Sequence, residues 1–216
     1  MKILNSLSVP FYEFTCDSNL VDEVLSLVEN LQYKNDENQE AEFSSQYFYY
    51  EPLIDWFDEC LEKVRKIYYN ESIKLEVVNC WATRTGFLKK LHTHTHQQSL
   101  VGGIFYLDTF TSGETVFYQS NPWQDYTTNN IINLSSKSKV MSTQLVTKIL
   151  PERGKLVLYP PQLRHGTLPN KERKVRYSIA FDSYFSGKIT DNSHWPYVEI
   201  KTTSLRELAT KNQDES

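Results

Sequence analysis

Cysteine is scarce in this chain of 216 residues: Cys16, Cys60 and Cys80 stand at wide, irregular spacing. They make neither a disulfide framework nor a paired-cysteine zinc site, and reduced thiols in a cytoplasmic setting are the default expectation. Long apolar runs are missing as well. No stretch approaches the roughly 20 residues that a membrane-spanning helix requires, and mean hydropathy is -0.52. The opening MKILNSLSVPFYEF is interrupted by Asn5, Ser6, Ser8 and Pro10 and offers no small-residue cleavage site, so no secretory signal is expected. Nor is there a surplus of positive charge, since 23 Lys and Arg face 27 Asp and Glu for a net charge of -4. A nucleic-acid surface over the whole chain is therefore not expected. The one compact basic stretch (Lys171, Arg173, Lys174 and Arg176, interrupted by Glu172) reads as a solvated turn. No internal repeat and no long low-complexity tract is visible.

What is abundant is aromatic: 14 Tyr, 11 Phe and 4 Trp, too many for a disordered chain. The length suits one domain with a full core. The expected layout is a single unit over 1–216, with a mostly helical layer over 1–73, a β core over 74–186 and a C-terminal extension over 187–216. Leu20, Val24, Leu27, Val28 and Leu31 recur on one helical face, with Asp17 or Ser18 placed to cap it. A second helix is expected from Pro52 to about Tyr69, with Leu53, Phe57, Cys60, Leu61, Val64, Ile67 and Tyr68 as its buried stripe. The polar stretch from Lys34 to Gln46 between them reads as a loop. From Lys74 the period changes. KLEVVNCWATR, SLVGGIFYLDT, GETVFYQ, LVTKIL, KLVLYP and VRYSIAFDSYF are short, rich in β-branched and aromatic residues, and bounded by Gly, Pro, Asn and Ser. Six such strands without long helices between them predict a mainly β fold, a sandwich or jelly roll with flanking N-terminal helices. The stretch from Pro122 to Gln144 is long for a plain connection and reads as a cover over a site. The tail from Thr210 to Ser216 reads as frayed.

Three of the five histidines form the run His92-Thr93-His94-Thr95-His96; the others are His165 and His194. On a strand, residues i and i+2 face the same way roughly 7 Å apart, so a pair of imidazoles so placed can converge on one metal ion. His165 is the natural third ligand, because it follows the strand Gly154 to Tyr159 and a turn locked by Pro160 and Pro161. His194 has no such setting. The plain alternative is a polar strand that exposes its histidines, with His165 capping a turn.

These segments occur in a known order. His94-Thr95-His96 is followed by Gly103-Ile104-Phe105-Tyr106-Leu107, Ser112-Gly113-Glu114-Thr115-Val116-Phe117, Gly154 to His165, and Arg176-Tyr177-Ser178-Ile179-Ala180-Phe181. From about Leu75 to Asp182 the chain resembles the iron(II)- and 2-oxoglutarate-dependent oxygenases, of the prolyl-hydroxylase-like, phage-and-bacterial type. The resemblance implies a double-stranded β-helix (a cupin-like jelly roll) with Fe(II) at its open end. Counting back from Gly103 lands on His94 and His96 as the metal pair, with His165 third; the register of His92 and His94 resembles a general cupin motif and stays in reserve. The wider superfamily pairs two histidines with a carboxylate, whereas Gln97, Gln98 and Ser99 follow the pair here. A three-histidine site would leave Fe(II) its full charge. Asp108 is the alternative carboxylate, although a structural or solvent-facing role suits it better.

The resemblance further implies that Arg176 and Ser178, which share a strand face, hold the distal carboxylate of 2-oxoglutarate, with Tyr106 adding a hydroxyl. Lys174 or Arg173 would stand in for Arg176 if the register slipped. Trp81 and Thr115 read as packing residues, and Glu114 as exposed or satisfied in a turn. The implied reaction is hydroxylation of a substrate by Fe(II), 2-oxoglutarate and O2, with release of succinate and CO2 and no general base. Prolyl hydroxylases point to a peptidyl proline or another protein side chain, and small molecules also occur in the family. The loops over 34–46 and 122–144, with Phe43, Trp123 and Tyr126, are placed to select it. Two other readings remain: a cupin-like metal or small-molecule binding module, and a three-histidine dioxygenase that does not use 2-oxoglutarate.

Overall fold

From Ile73 onward apolar residues alternate with polar ones, and the chain runs as strands whose two faces do different work. The computed structural model describes residues 9–119, 145–189 and 198–214. In chain order its elements are β1 (Tyr12–Thr15), α1 (Ser18–Glu29), β2 (Tyr33–Asn35), β3 (Glu42–Ser44), α2 (Glu51–Tyr68), β4 (Ile73–Thr85), β5 (Val101–Tyr106), β6 (Thr115–Gln119), β7 (Leu145–Ile149), β8 (Lys155–Tyr159), β9 (Arg164–Thr167), β10 (Arg176–Lys188), β11 (Glu199–Ile200) and α3 (Leu205–Asp214). An eight-stranded sheet has the order β1-β8-β5-β10-β4-β3-β2, with β11 on the end of β10, and faces a three-stranded sheet ordered β7-β6-β9. This is the jelly roll expected from the strand pattern. Every strand pair is antiparallel.

The larger sheet carries two clusters. On its outer face Cys80, Ala82, Phe105, Leu156, Leu158, Ile179 and Phe181 pack under α1 and α2, with Phe57 of α2 against both Phe181 and Phe105 at ring separations of 4.4 and 5.8 Å. On its inner face Tyr106, Val157 and Tyr159 meet Phe117 and Ile149 of the smaller sheet. Strands β4 and β10, thirteen residues each, form twelve pairs and slip register by one between Asp182 and Ser183. Such a bulge bends a strand and re-aims its side chains.

Several expectations need correction. Asp17 caps α1, accepting from the Asn19 amide at 2.9 Å, but the buried stripe is Val21, Val24 and Val28, while Leu27 is 43% exposed. Helix α2 buries Leu53, Ile54, Phe57, Cys60, Leu61 and Val64 and leaves Ile67 and Tyr68, in its last turn, exposed. The stretch from Lys34 to Gln46 is no plain loop: it carries the β2–β3 hairpin, which extends the large sheet past β4. Polar contacts hold that hairpin. Glu42 is paired with Arg84, whose guanidinium lies 4.6 Å over the Tyr33 ring. The His92-to-His96 run is not a strand and makes a single bridge at His94. The tail does not fray at Thr210, since α3 continues to Asp214 and is tied by Arg206 to Asp55 of α2 at 2.6 Å. The stretch from Pro122 to Gln144, with Trp123 and Tyr126, lies outside the described residues, as does His194.

Phe57 is the side chain on which the helix layer seats. Phe57→Ala is expected to cost about 3–5 kcal/mol of stability, read as a lower midpoint in denaturant unfolding.

Candidate metal centre

Backbone pairing opposes the first two histidines directly. The His94 amide donates to the His165 carbonyl at 2.8 Å and the His165 amide returns the bond at 2.9 Å. His96, two residues on, is anchored by its amide on the Pro161 carbonyl at 3.0 Å. The crossing is close because Gly166 has no side chain; a Cβ there would stand 2.8 Å from the Leu91 carbonyl oxygen. As a result His94, His96 and His165 bring ligand nitrogens within 4.8 Å of one another, with His94 and His96 Nε2 at 3.2 Å. His92 stands outside this group, exposed and 3.4 Å from Glu40.

Each of the three rings is oriented through its other nitrogen. Nδ1 of His94 meets the His92 carbonyl at 2.8 Å, Nδ1 of His165 the Leu163 carbonyl at 2.8 Å, and Nδ1 of His96 the Asp182 carboxylate at 2.7 Å. Acceptors at all three Nδ1 atoms put the ring protons there and leave three Nε2 lone pairs facing a common point. Two lone pairs at 3.2 Å repel unless a cation lies between them, so the donor set fits a divalent ion that takes imidazole nitrogen. Burial pushes His165 down to about 3, and His94 below its ordinary value, so both stay neutral as a metal ligand must.

The same cavity holds a second constellation. It is lined by Trp81, His94, His96, His165, Tyr106, Thr115, Arg176 and Ser178, among others, and measures about 60 Å³. Arg176, at the start of β10, is 2% exposed. It donates to the Gly113 carbonyl and, at 3.3 Å, to the Thr85 hydroxyl, while its Nε has no partner among the described residues. Gly113 has φ +74, and a Cβ there would come within 2.8 Å of the guanidinium. Burial lowers the Arg176 pKa, and no carboxylate is paired with it among the described residues. Ser178 is buried beside it, and the Tyr106 hydroxyl, 2.6 Å from Thr115 Oγ1, is pushed up to about 12 by burial and stays protonated. A buried cation with an orphaned N–H fits an anionic guest. Of the alternatives, Asp108 is paired with Lys174 and is not among the groups that face the imidazoles, so neither residue takes part.

Two residues escaped the sequence reading. Trp81, expected to be mere packing, has its ring 5.5 Å from that of His96 and lines the cavity. Asp182 holds His96. Its signal was strand parity, because Arg176, Ser178, Ala180 and Asp182 fall on one face of β10.

The sequence profile of the family described as "Putative 2OG-Fe(II) oxygenase" matches residues 79–182. No curated protein matches the chain in sequence. Among solved structures, the fold is similar to that of HygX from Streptomyces hygroscopicus with nickel, 2-oxoglutarate and hygromycin B bound (16% identity over 81% of this chain and 82% of that one, TM-score 0.55). It is also similar to a Pseudomonas putida prolyl-4-hydroxylase (10% identity, 82% and 92% of the chains, TM-score 0.56). A third is the viral collagen prolyl hydroxylase of Paramecium Bursaria Chlorella virus-1 in complex with 2-oxoglutarate (13% identity, 80% and 94%, TM-score 0.51). The chain resembles the Fe(II)- and 2-oxoglutarate-dependent oxygenases over the matched residues and in its fold. It is a dioxygenase, and its cofactors are Fe(II), 2-oxoglutarate and O2.

Asp182→Asn keeps an acceptor for His96 Nδ1 but removes the charge that raises the basicity of the ring. Metal affinity is expected to fall about 10- to 100-fold with the fold intact, measured by calorimetric titration of the metal-free protein.

Proposed function

We propose that the chain hydroxylates a protein side chain, with a peptidyl proline as the first candidate, and releases succinate and CO2. In this reading His94, His96 and His165 hold Fe(II), and Arg176, Ser178 and Tyr106 hold the distal carboxylate of 2-oxoglutarate. The carrying observation is that an unpaired, buried guanidinium shares one cavity with three converging imidazoles. When bound, Fe(II) supplies the oxidative chemistry that splits 2-oxoglutarate and hydroxylates the substrate with O2. The residues bind, orient and exclude water. Arg176 offers N–H groups to a carboxylate in a buried site, where a charge-assisted bond is strong. Tyr106, protonated and backed by Thr115, adds a neutral donor without adding charge. Asp182 and two backbone carbonyls hold the three rings so that their Nε2 atoms stay turned inward.

Support for a polymeric substrate comes from the surface beside the site. A cleft of about 300 Å³ lined by Asp36, Gln39, Phe43, Asn79 and Trp81 reaches His94 and His96. It shares Asn79 and Trp81 with a wider trough bearing Lys34, Ser44, Ser45, Gln46 and Tyr47. Aromatic faces, amides and hydroxyls with one cation and one acid suit a neutral polar chain better than a phosphate backbone. Two of the solved relatives are prolyl hydroxylases. The hairpin β2–β3 forms much of this wall and is the substrate-selecting part. The three unpaired, buried thiols suit a reducing cytoplasm.

The test is formation of succinate from 2-oxoglutarate under air with Fe(II). His165→Ala is expected to abolish it, and Arg176→Met to raise the 2-oxoglutarate requirement about 30-fold or more, the equivalent of about 2 kcal/mol. Turnover that survives His165→Ala would sink the ligand set. Turnover that ignores both Arg176→Met and omission of 2-oxoglutarate would favour a three-histidine dioxygenase of another kind, and metal binding without turnover a cupin-like binding module.

A further inference from the structure

Tyr159 is the buried polar side chain beside the candidate metal ligands that the roles above leave unused. It ends β8 on the inner face, with its ring edge-on to His165 at 4.8 Å between centres and tilted against Phe117 at 4.9 Å. Its hydroxyl lies 3.1 Å from His165 Nε2, its one hydrogen bond among the described residues. The direction of that bond follows from the other ring nitrogen. His165 Nδ1 meets a backbone carbonyl, which only accepts, so the ring proton is on Nδ1 and Nε2 receives the phenol proton. A phenol is protonated at neutral pH, so the hydroxyl is a donor there.

One lone pair cannot serve both partners. If His165 Nε2 binds Fe(II), the Tyr159 hydroxyl loses its acceptor and turns to whatever fills the small cavity it lines. Tyr159 is only 2% exposed and its ring is clamped between His165 and Phe117, so its hydroxyl stays on the cavity side. A buried hydroxyl left in that state is costly, and the acceptor that arrives beside the metal is 2-oxoglutarate. We propose that Tyr159 is a cosubstrate-binding residue: its hydroxyl, displaced from His165 Nε2 when the metal binds, donates to the 2-oxo acid end of 2-oxoglutarate. This rests on the ligand set and cosubstrate of the proposed function. It adds a coupling. Before the metal binds the donor is occupied; afterwards it is released toward the cosubstrate, so the metal primes the site for 2-oxoglutarate through the protein as well as through its own coordination.

Tyr159→Phe keeps the ring and removes the donor. Ni(II), which takes imidazole nitrogen, is titrated by calorimetry into parent and variant, and 2-oxoglutarate is then titrated into each Ni(II)-loaded protein. The variant is expected to bind Ni(II) as tightly as the parent or more tightly, because a competitor for the lone pair is gone. Its affinity for 2-oxoglutarate is expected to fall about tenfold or more. Unchanged or tighter 2-oxoglutarate binding in the variant overturns the inference and leaves the proposed function standing. Loss of Ni(II) binding in the variant also overturns it, because Tyr159 then serves only to hold His165. A parent that takes Ni(II) but not 2-oxoglutarate overturns the proposed function itself, and the inference with it.

Discussion

A guanidinium inside a barrel, with no carboxylate beside it among the described residues, is the constraint around which the rest of this site is arranged. Burying an uncompensated cation is costly, and Arg176 recovers only part of that cost from the Gly113 carbonyl and the Thr85 hydroxyl, leaving Nε without a partner among the described residues. The surroundings make sense for a guest that brings negative charge. Gly113 takes a left-handed conformation and keeps clear of the guanidinium, and Tyr106 and Ser178 add neutral donors rather than acids. At the other end of the cavity three imidazoles turn their Nε2 atoms toward one another. A dianion reaching from Arg176 to a divalent ion on the imidazoles satisfies both ends at once.

The charge balance also bears on the missing carboxylate. The usual arrangement pairs two histidines and an acid on the metal, and here the acid stands one step back, as Asp182 on the Nδ1 of His96. In the proposed ligand set its negative charge would still reach the centre through the ring, while the coordinating atom would be a nitrogen. One strand organises the whole: along β10, Arg176, Ser178 and Ala180 line the cavity, Asp182 follows on the same face to hold His96, and Ile179 and Phe181 face the helix layer through Phe57. The period of two that builds the core therefore also spaces the two ends of the site, and the bulge after Asp182 falls next to the residue that orients His96.

The β core was legible because its strands are apolar on both faces or strictly alternating, and the motif order identified the superfamily. What escaped was held by contacts that composition does not carry. The β2–β3 hairpin looks like a polar loop because an Arg84–Glu42 pair and a cation over Tyr33, rather than apolar burial, dock it. His94 and His96 were expected to converge as strand neighbours. They lie instead on an irregular segment and meet because His94 bridges His165 while His96 is pinned by Pro161 and Asp182. Leu27 lost its place to Val21 because the face of α1 is set by the sheet beneath it. Asp182 was missed for another reason: it follows the Arg176-to-Phe181 motif by strand parity, and motif matching stops at the motif.

The central claim is that the three imidazoles and Arg176 form one site for one pair of guests, Fe(II) and 2-oxoglutarate. The most direct test is an anaerobic spectrophotometric titration of the metal-free protein with both. A visible metal-to-ligand charge-transfer band that requires both components and weakens in Arg176→Met is the predicted result. Fe(II) binding without any such band when 2-oxoglutarate is added would contradict the account.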